Sequence, residues 1–320
     1  MKLWTAVLLA GVLGGWGSSA TAQDLNILLP VPALERQLGL EPFEIVSAEI
    51  SRPKAKGDIT LKADASFAGQ PPYRIKLRKA EPGAEEFNNR PRYDLAAYEL
   101  QKLFLDPEEY VVPPTSLRML PLAEFQKYSP DVRPTFRGSD QVLAVLQYWL
   151  NEVKVIADVY DPSRFAADPV YARHIGQLNM LTFLIEHGDS NVGNFLISRA
   201  PQGARVFSID NGVAFAHNES DRGDLWRALR VNRLPADAVQ RLRTLSEQDL
   251  EAQLAVLAQW ELRDGHYVAV PLGESLSKYR GVRLKDDVVQ LGLTRGEILG
   301  VWRQCERLLK EIDDGKITTF

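Results

Sequence analysis

Polar residues suited to catalysis cluster near the middle of the chain, in the stretch HGDSNVGN from His187 to Asn194, and Asp210 follows within Asp-Asn-Gly. A carboxylate such as Asp189 can orient an attacking hydroxyl and accept its proton. The hard oxygens of Asn194 and Asp210 are suitable ligands for Mg²⁺ or Mn²⁺. His187 is a further catalytic candidate, although bracing the loop by hydrogen bonds is the simpler role for it. The cluster predicts metal-assisted chemistry at a hydroxyl group.

Chemistry on a nucleotide phosphate also requires a fixed cation, and the strand-like stretch YRIKLRKA supplies one. Its alternation places apolar side chains on one face and Lys76, between Arg74 and Arg78, on the other. Lys76 is the preferred phosphate ligand. The helical stretch that follows offers a carboxylate to position this lysine, either Asp94 or Glu99, on opposite flanks of its apolar face. Periodicity leaves the choice between these two open.

The elements expected to position these residues begin with strand patterns separated by Lys, Pro and Gly turns. These patterns predict one antiparallel sheet and occupy residues 43–51, 57–67 and 73–80. Helical spacing at 92–104 predicts a single helix beside that sheet. Apolar stretches at 111–120 and 141–150 predict strands or strand-to-helix transitions.

The character of the sequence changes after about residue 165. Residues 168–188 predict a long buried helix that stops at a glycine, and residues 203–215 predict a β-rich pair. From 222 to 314 the pattern predicts amphipathic helices. The expected fold class is α+β, with a small antiparallel sheet and one helix in residues 23–150 and a larger, mainly helical part in residues 151–320.

Composition limits the class of partner and the compartment. A formal net charge of −4 gives no general basic surface, so we expect no nucleic-acid partner. Residues 1–22 have a positive start, an apolar core and a small-residue end, which predicts a cleaved signal peptide and an exported protein, periplasmic or secreted. No later stretch is apolar enough to predict a membrane span. Cys305 is the only cysteine, so no intramolecular disulfide is possible.

The motif HGDSNVGNFLIS followed by FSIDNGVAF resembles the protein-kinase-like superfamily, and it is most similar to its atypical branches. These are the secretory-pathway kinases, the phosphoinositide 3/4-kinase-like bacterial proteins and the aminoglycoside or choline phosphotransferases. The resemblance implies a two-lobed fold that binds ATP with Mg²⁺ or Mn²⁺, with Asp189 as base, Lys76 on the phosphates, and Asn194 and Asp210 on the metal. It favours Asp94 as the partner of Lys76.

The sequence departs from that family at the phosphate-covering loop. No G-x-G-x-x-G is present, and the first strand pair is joined by SRPKAKGD, in which Lys56 and Gly57 are candidates to cover the phosphates. Lys62 and Lys79 remain alternatives to Lys76 as the nucleotide cation. The expected activity is transfer of a γ-phosphate to a hydroxyl acceptor on protein, carbohydrate, lipid or a small molecule.

Other interpretations of the same residues carry different predictions. A pseudokinase would keep the fold as an exported nucleotide- or partner-binding module. An antibiotic-type phosphotransferase would act on a small molecule. A metal-dependent hydrolase would usually have more ligands than four His in the whole chain allow, and an EF-hand lacks its final Glu because Ala200 occupies that position. Asn191 is equally suited to a turn or to a second metal or phosphate contact.

Overall fold

The computed structural model of the protein describes residues 24–51, 59–87, 89–215 and 223–320, except for the side chain of Asp224. The predicted signal peptide at 1–22 lies outside these residues. So do the loop candidates Lys56 and Gly57. Within the described part of the chain no helix combines the length and apolar character needed to cross a bilayer.

The N-terminal half is built on a five-stranded antiparallel sheet with strand order β1-β2-β3-β5-β4. The predicted strands are therefore confirmed, and the two uncertain apolar stretches both form strands. The strands are β1 (Phe43–Ile50), β2 (Thr60–Phe67), β3 (Tyr73–Lys79), β4 (Thr115–Pro121) and β5 (Gln141–Tyr148).

The two faces of this sheet pack against different helices. Ile75 and Leu77 point toward a core shared with α1 (Val31–Gly39), whereas Lys76 and Arg78 lie on the face covered by α2 (Pro91–Gln101). This alternation confirms the predicted faces of β3.

The prediction of one helix in this half is wrong. Besides α2, the chain forms α1 and a short α3 (Leu122–Gln126). In α1, Leu34 and Leu38 recur at helical spacing and are buried in the same core as Ile75 and Leu77, so the helix covers the second face of the sheet.

Residues 149–152 connect the large sheet to the rest of the chain. Asn26, from the segment before α1, donates hydrogen bonds through Nδ2 to the carbonyl oxygens of Asn151, at 2.9 Å, and Glu152, at 3.2 Å. Glu152 has a left-handed backbone with φ of 44°. The connection is therefore fastened to a segment about 125 positions earlier in the chain.

A smaller three-stranded sheet, β6-β7-β8, follows this connection and carries the polar cluster. The predicted long helix is present as α5, which begins after an Asp168 N-cap and ends four residues before Gly188. The elements of this region are β6 (Val153–Lys154), α4 (Pro162–Ala167), α5 (Pro169–Leu184), β7 (Phe195–Ser198) and β8 (Val206–Ser208).

The prediction of helices alone in the C-terminal region is wrong, because residues 258–291 form a four-stranded antiparallel sheet. The Asp264-Gly265 pair, with φ of 50° and 79°, makes a tight hairpin turn between β10 and β11. The remaining elements are α6 (Asp224–Arg227), β9 (Arg233–Leu234), α7 (Ala236–Thr244), α8 (Glu247–Leu254), β10 (Ala258–Arg263), β11 (His266–Ala269), β12 (Val282–Lys285), β13 (Val288–Leu291), α9 (Arg295–Asp313) and β14 (Thr318–Thr319), which pairs in parallel with β9. The fold class is α+β, as predicted.

Candidate active site

A cleft of about 780 Å³ lies between the five-stranded sheet and the three-stranded sheet. Lys76 lines it from the large sheet. Asp189, Asn194 and Asp210 line it from the loops around β7 and β8. Four of the residues predicted from sequence thus meet at one cavity, which is large enough for a nucleotide.

The loop that carries Asp189 is fixed from the protein interior by His187. The imidazole is fully buried, packs against the ring of Phe195 at 5.2 Å, and accepts a hydrogen bond at Nδ1 from the Asp189 backbone N–H at 3.3 Å. Burial lowers the pKa of His187 to about 4, so the ring is neutral at pH 7. Its contacts are those of a residue that holds the loop rather than of one open to the cleft.

The loop is closed by its own asparagines. Asn194 lies at the end of a short 3₁₀ turn and donates through Nδ2 to the backbone carbonyl of Asp189 at 2.8 Å. Asn191 donates to the Asp189 carboxylate. Because Nδ2 of Asn194 is bound inside the loop, its amide oxygen is the end of the side chain suited to a ligand in the cleft.

Asp210 follows β8 and has a left-handed backbone, with φ of 58°. The neighbouring Ile209 N–H donates to the carbonyl of Asn194 at 2.9 Å, which ties the two loops together. The Asp210 carboxylate oxygen Oδ1 accepts hydrogen bonds from Lys76 Nζ at 2.6 Å and from Arg78 Nη1 at 3.0 Å. Two cations of β3 therefore converge on the predicted metal-binding carboxylate.

The acidic residues of α2 are placed differently from the pairing favoured by the resemblance. Asp94 is buried and contacts Arg78 rather than Lys76. Glu99 lies away from the cleft and pairs with Lys102, at 2.7 Å, and with Gln253, at 2.7 Å. Lys76 and Arg78 share one face of β3, and it is the arginine that reaches the first turn of α2.

The oxygen atoms present suit a divalent cation that is bound jointly with phosphate groups. Asp210 supplies a carboxylate and Asn194 an amide oxygen, and both line the same cavity. Mg²⁺ is commonly held by one or two carboxylates together with substrate phosphates and water. In the described residues no group of three or more His, Cys, Asp or Glu could hold a metal by itself.

Sequence reasoning missed a segment, later in the chain, that packs against the loop at residues 187–194. Gly223 packs so closely that a Cβ there would lie 2.5 Å from the carbonyl carbon of Gly188, and its own carbonyl accepts a hydrogen bond from Ser190 at 3.0 Å. Arg227 occupies the space beside Gly188, where a Cβ would lie 2.9 Å from Nη2. Neither residue belongs to a motif, so no signal in the sequence distinguishes them.

Arg78 is the second residue whose contacts the sequence does not predict, because the strand pattern shows it only as a neighbour of Lys76. Arg78 lies two residues after Lys76 on the same face of β3, and this spacing is the only sign in the sequence that it can reach the same cleft.

Comparison of the chain with protein-family models gave no match. Comparison with curated proteins gave none either.

Proposed function

We propose that the protein is an exported, ATP-dependent phosphotransferase with a two-lobed, protein-kinase-like fold, which transfers a γ-phosphate to a hydroxyl group. The proposal is carried by the 2.6 Å ion pair between Lys76 and Asp210, which are 134 positions apart in the sequence. Asp189 and Asn194 line the same cleft. If the polar cluster were only a turn, a lysine from a distant strand would have no reason to contact it.

Each residue at the cleft has a separable role in this reaction. Lys76 would exchange its contact with Asp210 for the nucleotide phosphates. Asp189, held by His187 and Asn191, would orient the acceptor hydroxyl and take its proton. Asp210 and Asn194 would hold Mg²⁺ or Mn²⁺. When bound, the cation would neutralise charge on the phosphates.

The arrangement of elements supports the same proposal. Lys76 lies on the third strand of an antiparallel sheet, α2 follows directly in sequence and covers that face, and Asp189 and Asp210 come later in the chain. This is the order of lysine strand, helix, catalytic loop and metal-binding loop found in protein kinases. The large sheet corresponds to the N-lobe in this proposal, and residues 151–320 to the C-lobe.

The acceptor is a hydroxyl on a protein, a carbohydrate, a lipid or a small molecule, including one of antibiotic type. Asp189 is partly exposed on the wall of an open cleft, which gives an acceptor access to it. Export rests on residues 1–22 and on no feature of the described fold.

The first experiment separates binding from turnover. Purified protein is assayed for ATP binding with Mn²⁺ by thermal shift. It is then assayed for transfer of radiolabelled phosphate from ATP to the exported fraction of the cells that produce it. Asp189→Asn should lower transfer by about 10²-fold or more and leave ATP binding intact, because only the base is lost. Asp210→Asn should weaken metal-dependent ATP binding itself.

Asp106→Asn is the matched control, because Asp106 is an exposed carboxylate paired with Arg241 outside the cleft. It should leave both readouts unchanged. Binding by the wild-type protein without transfer to any acceptor would favour the pseudokinase alternative. No metal-dependent ATP binding by the wild-type protein would contradict both.

A further inference from the structure

Arg78 lies between two acidic residues from different parts of the chain. Its Nη1 is 3.0 Å from Asp210 Oδ1, and its Nη2 contacts Asp94 on α2. Only 4% of the arginine side chain and 2% of the Asp94 side chain are exposed, whereas 38% of Asp210 is. One guanidinium thus joins a buried carboxylate of a helix to a carboxylate at the cleft.

The chemistry of arginine makes this joint rigid. A guanidinium is planar and always charged, and its terminal nitrogens keep a fixed distance from one another. Because both side chains are almost fully buried, separating Arg78 from Asp94 would leave the Asp94 carboxylate as an unpaired buried charge, which is strongly unfavourable. The position of Asp94 therefore determines where Arg78 Nη1 can lie.

The two cations on Asp210 differ in how firmly they are held. Lys76 has a flexible stem and three rotatable donors, so it can transfer to a phosphate group. Arg78 is held at its other nitrogen by Asp94 and stays in place. It would continue to orient Asp210 after Lys76 has moved.

The helix that carries Asp94 is itself anchored. Two residues earlier, Arg92 contacts Glu297 at the start of α9, at 2.7 Å, and Glu85 at 2.7 Å. The path from Glu297 to Asp210 passes through two buried arginines on adjoining elements, α2 and β3.

We propose that Arg78 is a positioning residue which, through its contact with Asp94, makes the orientation of Asp210 depend on the position of α2. Its consequence for catalysis rests on the proposed function, because Asp210 is the metal-binding residue there. The dependence itself is a property of the protein without ligand and is tested separately.

The first test uses hydrogen–deuterium exchange in the absence of nucleotide and metal. The reporter is the Ile209 amide, which donates to Asn194 beside Asp210. Asp94→Asn should increase its exchange rate, on the order of tenfold, because Arg78 loses the negative charge that fixes it at α2. Exchange in β10–β13 should not change, which would exclude general unfolding.

Glu99→Gln is the matched control on the same helix. It removes a carboxylate that contacts Lys102 and Gln253 instead of Arg78, so the Ile209 amide should exchange as in the wild-type protein. Equal acceleration in both variants would overturn the proposal, and so would no acceleration in Asp94→Asn.

The second test asks whether a simple ion pair can replace the arginine. Arg78→Lys should lower both the melting temperature and Mn²⁺-dependent ATP affinity. The double variant Arg78→Lys with Asp94→Glu restores an ion pair of similar combined length, so the melting temperature should recover. ATP affinity should remain reduced at least several-fold, because lysine lacks the second, rigidly spaced nitrogen.

Recovery of both readouts in the double variant would mean that Arg78 only stabilises the fold, and this would overturn the proposal. If the wild-type protein binds no ATP, the proposed function fails. The exchange experiment still decides whether the orientation of Asp210 depends on the position of α2.

Discussion

At the scale of single residues, Asp210 combines an unfavourable backbone with strong side-chain contacts. A φ of 58° is uncommon outside glycine, although Asp tolerates it better than most residues. Lys76 and Arg78 donate hydrogen bonds to its carboxylate. The adjoining Ile209 N–H donates to the backbone carbonyl of Asn194. These contacts offset a backbone cost of about 1–2 kcal/mol and hold a carboxylate in the cleft.

Gly223 packs too closely against the loop at residues 187–194 to accommodate a side chain. Gly223→Ala places a methyl group 2.5 Å and 2.7 Å from backbone atoms of Gly188 and Asp189, which cannot move as a side chain can. We expect the free energy of unfolding to fall by about 1–3 kcal/mol, measured by urea denaturation. In the proposed reaction, transfer should fall as well, because Asp189 would be displaced.

The matched control is Gly193→Ala in the same loop, where an added Cβ meets no atom within 4 Å. Its stability should change by less than about 0.5 kcal/mol. Equal losses in the two variants would show that the loop is sensitive to any added side chain.

The residues that bear the proposed chemistry were predictable because their types are constrained by the reaction. Asp189, Asn194 and Asp210 form a spaced motif, and Lys76 stands on a strand with clear alternation. The pairing of Asp94 was not predictable, because alternation puts Lys76 and Arg78 on one face and only the folded geometry decides which of them reaches α2. Gly223 acts through a close backbone approach between distant segments, which leaves no pattern in the sequence.

At the scale of elements, α2 is fixed at its N-terminal end. Arg92 is buried against Glu297, Glu85 and the ring of Tyr93, with the guanidinium carbon 4.2 Å from the ring centroid. A Cβ at Gly281 would lie 2.1 Å from Arg92 Nε. The loop before β12 therefore leaves room for the Arg92 side chain only because position 281 is glycine. The C-terminal sheet thus helps to position the helix that contacts Arg78.

Gly281→Ala tests that packing. The added methyl group must displace Arg92 from its carboxylates, so we expect a loss of about 1–3 kcal/mol in the free energy of unfolding. Gly300→Ala in α9, where a Cβ meets no atom within 4 Å, should be neutral or stabilise by up to about 1 kcal/mol. Similar melting temperatures for Gly281→Ala and the wild-type protein would contradict the tight packing of Arg92.

The elements that sequence predicted well are those with a long, regular pattern. The strands β1 to β3 and the helix α5 fall into this class. The sheet at 258–291 was missed although Asp264-Gly265 is a strong hairpin signal, because its strands β11 to β13 have only four residues each and lie among amphipathic helices. Short strands reach their conformation through pairing with one another, which a single stretch of sequence does not reveal.

At the scale of the whole molecule, two buried histidines couple stability to pH. Burial lowers the pKa of His187 to about 4, and burial together with nearby Arg205 lowers that of His174 to about 3. Both rings are neutral in the folded protein down to these values, whereas the unfolded chain protonates them near pH 6.5. The unfolded state therefore binds more protons, and stability decreases as the pH falls below about 6.5.

His174→Gln isolates one of these protons, because His174 lies on α5 outside the cleft. Urea denaturation at several pH values between 7 and 5 should give a shallower decline for the variant, by up to about 1.4 kcal/mol per pH unit. An unchanged pH dependence would show that His174 is not held neutral in the folded state.

The connection at residues 149–152 bears on how the cleft would open. A hinge usually bends easily because its backbone is attached to nothing else, but here the amide of Asn26 holds the carbonyls of Asn151 and Glu152. Rotation of the large sheet away from the three-stranded sheet about this connection has to stretch or break those bonds. Opening of the cleft about this connection would then be governed partly by Asn26, a side chain that does not line the cleft.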